Sequence, residues 1–232
     1  MRAEDLPTVR SLDLFASMPG ASFDDLMQGA FLQWFPPQVL LIEEGAPADF
    51  LHVVVDGMVE MFARSNERET TMAILEPVSA FILAAVLRDA VYLMSARTIE
   101  RSRVLMIPAE SVREAMLRDP ALTQAIVQDL AGAFRNSVKA LKAQKLRTGV
   151  ERLANWLLRA NEDQGGDGSV TLGMDKRTLA ALLGMTPENL SRAFGTLRAY
   201  GVEVSGREIV LTAPDDLRRL AKSNPLVDDP AV

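Results

Sequence analysis

Residues 175–201 read DKRTLAALLGMTPENLSRAFGTLRAYG, and this stretch decides the fold. It holds two short helical patterns separated by a turn that contains Gly184. In the second pattern Thr186 can cap the helix start, Pro187 suits the first helical position and Glu188 follows in the first turn. Leu190, Phe194 and Leu197 recur at spacings of four and three, which makes one apolar stripe. Glu188 and Arg192 lie four apart on another face, with Ser191 beside them. Two readings compete. A surface helix with one such ion pair gains only a few tenths of a kcal/mol from it. Alternatively, the first turns present an acceptor, a hydroxyl and a guanidinium to base edges in DNA.

The flanking sequence favours the second reading. After the stretch, VEVSGREIVLT (202–212) reads as a β-hairpin with Ser205-Gly206 at its turn. A last helix is expected near Asp215, with Pro214 ahead of it. Before it lie a helix, ERLANWLLRANED (151–163), a loop, QGGDGS (164–169), and a short strand, VTLG (170–173). Helix, turn, helix and β-wing make a winged helix-turn-helix, whose second helix enters the major groove of double-stranded DNA.

Further out, residues 1–30 alternate short helical patterns with turn signals such as Met18-Pro19-Gly20. From Gln33 to Pro108 the chain breaks into short runs closed by turn residues. VLLIEEG (39–45), DFLHVVVDG (49–57), MVEMFARS (58–65), TTMAILEP (70–77) and RSRVLMIP (101–108) are the clearest. Strands at this spacing predict a small antiparallel barrel or jelly roll. Helix returns at Glu110–Leu117 and then, after Asp119-Pro120, in ALTQAIVQDLAGAFRNSVKALKAQKL (121–146). Val127, Leu130, Phe134, Ser137 and Leu141 follow a 3-4-3-4 spacing, a coiled-coil seam. The barrel can cover little of so long a helix, so the seam is expected to pair two copies. The α+β organisation predicted is a β-barrel over 1–118, a dimerisation helix over 119–147 and a DNA-binding winged helix-turn-helix over 148–232.

Composition narrows the chemistry. With 232 residues, 48% hydrophobic and 24% charged, the chain reads as a soluble globular protein. No apolar run approaches the roughly 20 residues of a membrane span. The start, MRAEDLPTVRSLDLF, is too acidic and broken for a secretory signal, so a cytoplasmic location without membrane contact is expected. There is no cysteine, which removes disulfides, thiolate zinc sites, cysteine nucleophiles and thiolate-held iron–sulfur clusters. The single histidine, His52, cannot supply a clustered metal site, so an enzyme on a cupin-like barrel is not expected. The net charge of −6 looks wrong for a DNA binder, yet Thr148–Pro225 carries ten basic and ten acidic residues. A neutral domain can still show a positive face.

Across nearly its whole length the sequence resembles the cyclic-AMP receptor protein and fumarate–nitrate regulator (CRP/FNR) family of bacterial transcription factors. DKRTLAALLGMTPENLSRAFGTLRAYG is similar to that family's helix-turn-helix signature. LLIEEGAPADFLHVVVDGMVEMF is similar to its cyclic-nucleotide-binding-like barrel motif, with Gly45 and Gly57 at the fixed glycines. The resemblance implies that Glu188, Ser191 and Arg192 read bases, with Asn189 a further contact. It implies that Thr186, Lys176 and Arg177 meet phosphate. It also implies an inverted repeat resembling TTGAT-N4-ATCAA and RNA polymerase as a partner. Chemically, Glu accepts from cytosine N4 and Arg pairs with guanine O6 and N7, whereas phosphate contacts supply affinity without sequence information.

The sensor half departs from that pattern. Cyclic-nucleotide members carry a Gly-Glu pair and then an arginine for the phosphate. Here the matching segment is PVSAFILAAVLRDAVYLMSA (77–96), with Met94 at the arginine position, so cyclic AMP is not expected as the ligand. The resemblance implies a small-molecule effector in an apolar pocket lined by Phe81, Ile82, Leu83, Met94, Ser95 and the start of the long helix. Haem is one candidate; it would need an axial ligand such as His52, although His52 sits where a packed strand residue is the plainer reading. Arg88, Arg97, Arg101 and Arg103 are alternative binders of an acidic effector. Two rival functions stay open: a cyclic-nucleotide-responsive regulator, and a regulatory module of a partner enzyme.

Overall fold

The computed structural model describes residues 1–66 and 68–229. The chain divides into two compact units, residues 1–134 and 135–232. In the first unit a short 3-10 turn leads into α1 (Leu6–Arg10), α2 (Asp13–Ala16) and α3 (Gly20–Gln28). The strands follow: β1 (Phe31–Phe35), β2 (Leu40–Ile42), β3 (Phe50–Asp56), β4 (Val59–Ser65), β5 (Arg68–Leu75) and β6 (Ser79–Phe81). After α4 (Leu83–Arg88) come β7 (Ser95–Thr98), β8 (Ser102–Pro108), α5 (Ala109–Arg118) and α6 (Pro120–Leu146).

The strands make two antiparallel four-stranded sheets, ordered β1-β8-β3-β6 and β2-β7-β4-β5. Both contribute to one apolar core: Leu51, Val53 and Ile107 from the first, Val59, Met61 and Ala96 from the second. In β3 the run from Leu51 to Val54 is buried without alternation, as a strand covered on both faces must be. Gly45 and Gly57 close turns at φ +86° and +82°, a region open to glycine and costly for most other residues.

Asp119 starts the long helix α6. Its Oδ1 accepts the N–H groups of Ala121 (2.9 Å) and Leu122 (3.3 Å), and Pro120 takes the first helical position, where no N–H is needed. Leu122 and Ile126 are the buried residues of α6. Further along, the helix presents Val127, Phe134, Val138 and Leu141 at exposures of 57%, 70%, 42% and 56%, with Leu130 half-buried.

The second unit holds the end of α6, then α7 (Gly149–Asp163), β9 (Ser169–Thr171), α8 (Lys176–Leu182) and α9 (Pro187–Leu197). A 3-10 turn leads to β10 (Val202–Ser205), β11 (Glu208–Leu211), α10 (Pro214–Ala221) and α11 (Pro225–Asp228). A reciprocal Thr148–Glu151 capping box starts α7, so two of its otherwise unpaired N–H groups are satisfied. The small sheet is ordered β10-β11-β9.

Four details differ from the sequence reading. The aromatic run FLQWF is already β1 at Phe31, two residues before the expected change to strand. The apolar segment after Phe81 contains α4, entered through Ile82 in the left-handed region at φ +66°. Ser205 pairs with Glu208, so the hairpin loop is Gly206-Arg207, with Gly206 at φ +61° in the first loop position. Pro214 is the first residue of α10 rather than a residue ahead of it, which suits its fixed φ and missing N–H.

Candidate nucleic-acid interface

The two helices of the motif are each started by a side-chain cap. Asp175 accepts the Thr178 N–H (2.7 Å) at the head of α8, which places Lys176 and Arg177, both exposed, in the first turn. That hydrogen bond, against the opposing effect of burial, holds the Asp175 carboxyl below its ordinary range. Thr186 caps α9 by accepting the Asn189 N–H (3.2 Å), and Pro187 follows at the first helical position. Between them Gly184 takes φ +62°. That left-handed dihedral favours glycine, and a Cβ there would sit 2.7 Å from the Gln144 amide oxygen, so this side chain would have to move aside for any other residue.

Helix periodicity then sorts α9 into two faces. Leu190, Ala193, Phe194 and Leu197 are buried, and the helix packs on α7 and α8. Glu188, Asn189, Ser191 and Arg192 are exposed on the other side, at offsets of three and four that place Glu188, Ser191 and Arg192 along one stripe. The Thr186 hydroxyl, the Glu188 N–H and then Arg192 hold the Glu188 carboxyl below its ordinary range, so it is an acceptor at neutral pH. Lys176 is exposed, with its Nζ 5.9 Å from the Phe194 ring centroid. Thr186, expected to meet phosphate, already uses its hydroxyl for the Asn189 cap and for Glu188. Asn189 and Arg192 also line a cleft of about 350 Å³ beside the start of α7.

One residue that the sequence reading did not mark is central to this geometry. Arg152, on α7, donates from Nε to the Leu183 carbonyl (2.8 Å) and from Nη1 to the Arg147 carbonyl (2.7 Å). Its cation therefore lies at the carbonyl ends of α6 and α8, where helix dipoles favour positive charge. A guanidinium that bonds main chain has no partner type to look for in a sequence, so spacing could not have revealed it.

The sensor residues occupy a different setting. Phe81 and Leu83 are buried, and Ile82 and Met94 pack against the same core, so these apolar side chains share one environment. Ser95 is also buried, but its hydroxyl accepts the Glu44 N–H (3.0 Å). His52 is 4% exposed, its ring centroid 5.4 Å from that of Phe81, and Nδ1 lies 3.2 Å from the Phe50 carbonyl oxygen. Burial pushes its pKa down to about 4 despite that carbonyl, so the imidazole is neutral at pH 7. Phe31, Met106, His52 and Phe81 stand in register across the sheet, which makes His52 one member of a packed row. The arginines expected as acid binders are dispersed. Arg97 bonds Glu60 (2.8 Å) and pairs with Glu69 (2.8 Å), Arg103 pairs with Asp5, Arg101 stacks on Trp34, and Arg88 is exposed.

Comparison with known proteins places the whole architecture. Residues 32–119 match the cyclic nucleotide-binding domain family and residues 151–220 the Crp-like helix-turn-helix domain family. A provisionally named cAMP-binding regulatory protein from Silicibacter pomeroyi is 30% identical over 94% of this chain and 100% of its own, with a TM-score of 0.62. The chain belongs to the CRP/FNR family of transcription factors. FixK2 from Bradyrhizobium japonicum is 25% identical over 84% of this chain and 98% of its own, with a TM-score of 0.73. The transcriptional activator protein Anr of Pseudomonas protegens is 22% identical over 186 residues, 78% of this chain and 76% of its own. This CRP/FNR chain is thus a DNA-binding transcription regulator, and α9 is the second helix of its Crp-like helix-turn-helix domain. Among the described residues no helix is long and apolar enough to cross a membrane, and no cluster of metal-ligating side chains occurs.

Proposed function

We propose that this regulator binds DNA as a homodimer at an inverted repeat resembling TTGAT-N4-ATCAA. Arg192 pairs with a guanine, Glu188 accepts from a cytosine amino group, and Ser191 and Asn189 add contacts in the same half-site. Lys176, Arg177 and Thr186 anchor the backbone. The observation that carries this reading is the exposure of Glu188, Ser191 and Arg192 along one side of a helix whose other side is buried. Two copies joined along Val127, Leu130, Phe134 and Leu141 would bring two such helices to half-sites about one DNA turn apart, 34–36 Å. At a promoter, such a dimer meets RNA polymerase. Incubating the protein with random duplexes and sequencing the retained DNA tests the proposal. An enriched inverted repeat with TTGA-like halves supports it; retention of all sequences alike refutes it.

The effector proposed for the sensor half is an apolar small molecule. The apolar surroundings of Phe81, Ile82, Leu83 and Met94 support this, together with a methionine, Met94, where the family pattern has the phosphate-binding arginine. Haem is the second candidate, with His52 the residue to test. An absorption spectrum and mass spectrum of the protein as purified separate the two: a Soret band lost in His52→Ala identifies haem, and an extractable organic mass without that band identifies the apolar ligand.

A further inference from the structure

The segment after α10 lies beyond the matched helix-turn-helix domain and returns to the corner where α6 meets α7. Three side chains spaced four apart receive it there. The Arg147 guanidinium forms two bonds to the Asp228 carboxylate, at 2.6 and 2.5 Å, and the Arg147 side chain is only 10% exposed. Glu151 pairs with Lys222 (2.8 Å). Asn155 donates to the Ala221 carbonyl (2.7 Å) and accepts from the Ser223 hydroxyl (2.9 Å). Lys139 adds a bond to the Asp229 carbonyl (2.7 Å). The segment also braces itself, since Asp228 accepts the Asn224 N–H (2.6 Å) and Asn224 caps Leu226 (2.9 Å).

The same corner supports the turn of the helix-turn-helix. Arg152 joins the Arg147 carbonyl to the Leu183 carbonyl, and its Nη2 lies 3.4 Å from the Gly184 carbonyl oxygen. The Gln144 amide covers Gly184, and Met185 Sδ lies 2.8 Å from where a Cβ on Gly149 would stand. The hydrogen bonds therefore run without a gap: Asp228 to the Arg147 side chain, the Arg147 main chain to Arg152, and Arg152 to the turn that ends at the Thr186 cap. Every one of these residues belongs to the second unit. We propose that the carboxy-terminal tail is a positioning element for the recognition helix. By pinning Arg147, Asp228 fixes the corner from which Arg152 holds Leu183 and Gly184, and with them the start of α9. Base reading needs such support, because a reading side chain must be held to about half an ångström and 10–20°.

The proposal rests on α9 being the base-reading helix, so the test carries an arm for that. Full-length dimers of the wild type, Asp228→Asn, Asp228→Glu, Arg152→Gln and Arg192→Ala are compared. The quantity measured is the ratio of affinity for the selected inverted repeat to affinity for a scrambled duplex at the same salt. Asp228→Asn keeps the side chain's shape and removes its charge; it is expected to lower the ratio about 2- to 30-fold, the usual range for coupling through a packed network. Affinity for scrambled DNA should stay unchanged, as a merely structural loss would not allow. Asp228→Glu should restore most of the ratio, and the double variant Asp228→Asn/Arg152→Gln should lose less than the two single losses combined. The proposal is overturned if Asp228→Asn leaves the ratio intact while Arg192→Ala lowers it, or if both duplexes weaken equally. An unchanged ratio in Arg192→Ala would instead overturn the assignment of α9, and this proposal with it.

Discussion

Two short stretches of this regulator are proposed to do the same kind of work, and they stand in opposite settings. In α9 the groups suited to a ligand are polar and stand in solvent: Glu188, Ser191 and Arg192 are exposed, and the apolar residues between them are buried. In the sensor segment 77–96, where the family pattern puts its phosphate-binding groups, the polar groups are replaced. Phe81, Leu83 and Val86 are 5%, 4% and 0% exposed, and Ser95 spends its hydroxyl on the Glu44 N–H. The contrast teaches where each half keeps its specificity. On the reading proposed here, DNA recognition would lie in side chains that helix period alone sends outward. On the same reading, effector recognition would lie in which residues fill a core, where a ligand that needs no charge partner is the better fit.

The largest effect that can break this comparison concerns the helix shared by both halves. Phe134→Asp places a charge at a 70%-exposed position of the proposed seam. It should give a monomer by light scattering and lower operator affinity about 10²- to 10⁴-fold through lost bivalency. An unchanged dimer would move the interface elsewhere. Next comes the neutrality of the sensor core. His52 has a pKa near 4 in the folded state against 6.5 when exposed, so its contribution to stability is complete above pH 6.5 and is lost as pH falls towards 4. The slope should reach about 1.4 kcal/mol per pH unit, on the order of 3 kcal/mol in total. His52→Phe should remove that slope from urea melts across the window; a slope that persists would place the titrating group elsewhere.

A smaller effect sharpens the division inside the DNA-binding half. Lys176→Ala should weaken all duplexes alike and reduce the salt slope of log K by about one unit. A change in sequence preference would make Lys176 a reading residue. The smallest expected effect is none. Micromolar cyclic AMP should leave operator affinity unchanged in a titration by anisotropy, and a tenfold gain would contradict the account of Met94 and its apolar neighbours.

How far these features could be read in advance depended on whether their causes are local. Asp119 and Thr186 cap their helices through N–H groups two or three residues away, so those two helix starts were legible. The strands β3 and β8 were legible from apolar runs closed by turn residues. The entry to α4 was not, because it turns on Ile82 adopting a left-handed conformation within a continuous apolar run. The tail was not legible either. Arg147, Glu151 and Asn155 have the spacing of any solvated helix face, and only the folded chain brings Asp228, Lys222 and Ser223 to them. Among the candidate site residues, the exposed face of α9 followed from periodicity. The sensor residues could be placed in the core, but which molecule they admit depends on side-chain packing that spacing does not encode.

The central claim is that Arg192 reads a base. The direct measurement is the affinity of wild type and Arg192→Ala for a panel of operators carrying every single-base change in one half-site, at fixed salt. The account predicts that the variant loses roughly 1–3 kcal/mol per half-site on the best operator and becomes indifferent at one guanine–cytosine pair, while its preferences at the other positions persist. An equal loss on every operator, scrambled DNA included, would make Arg192 a backbone anchor and contradict the account.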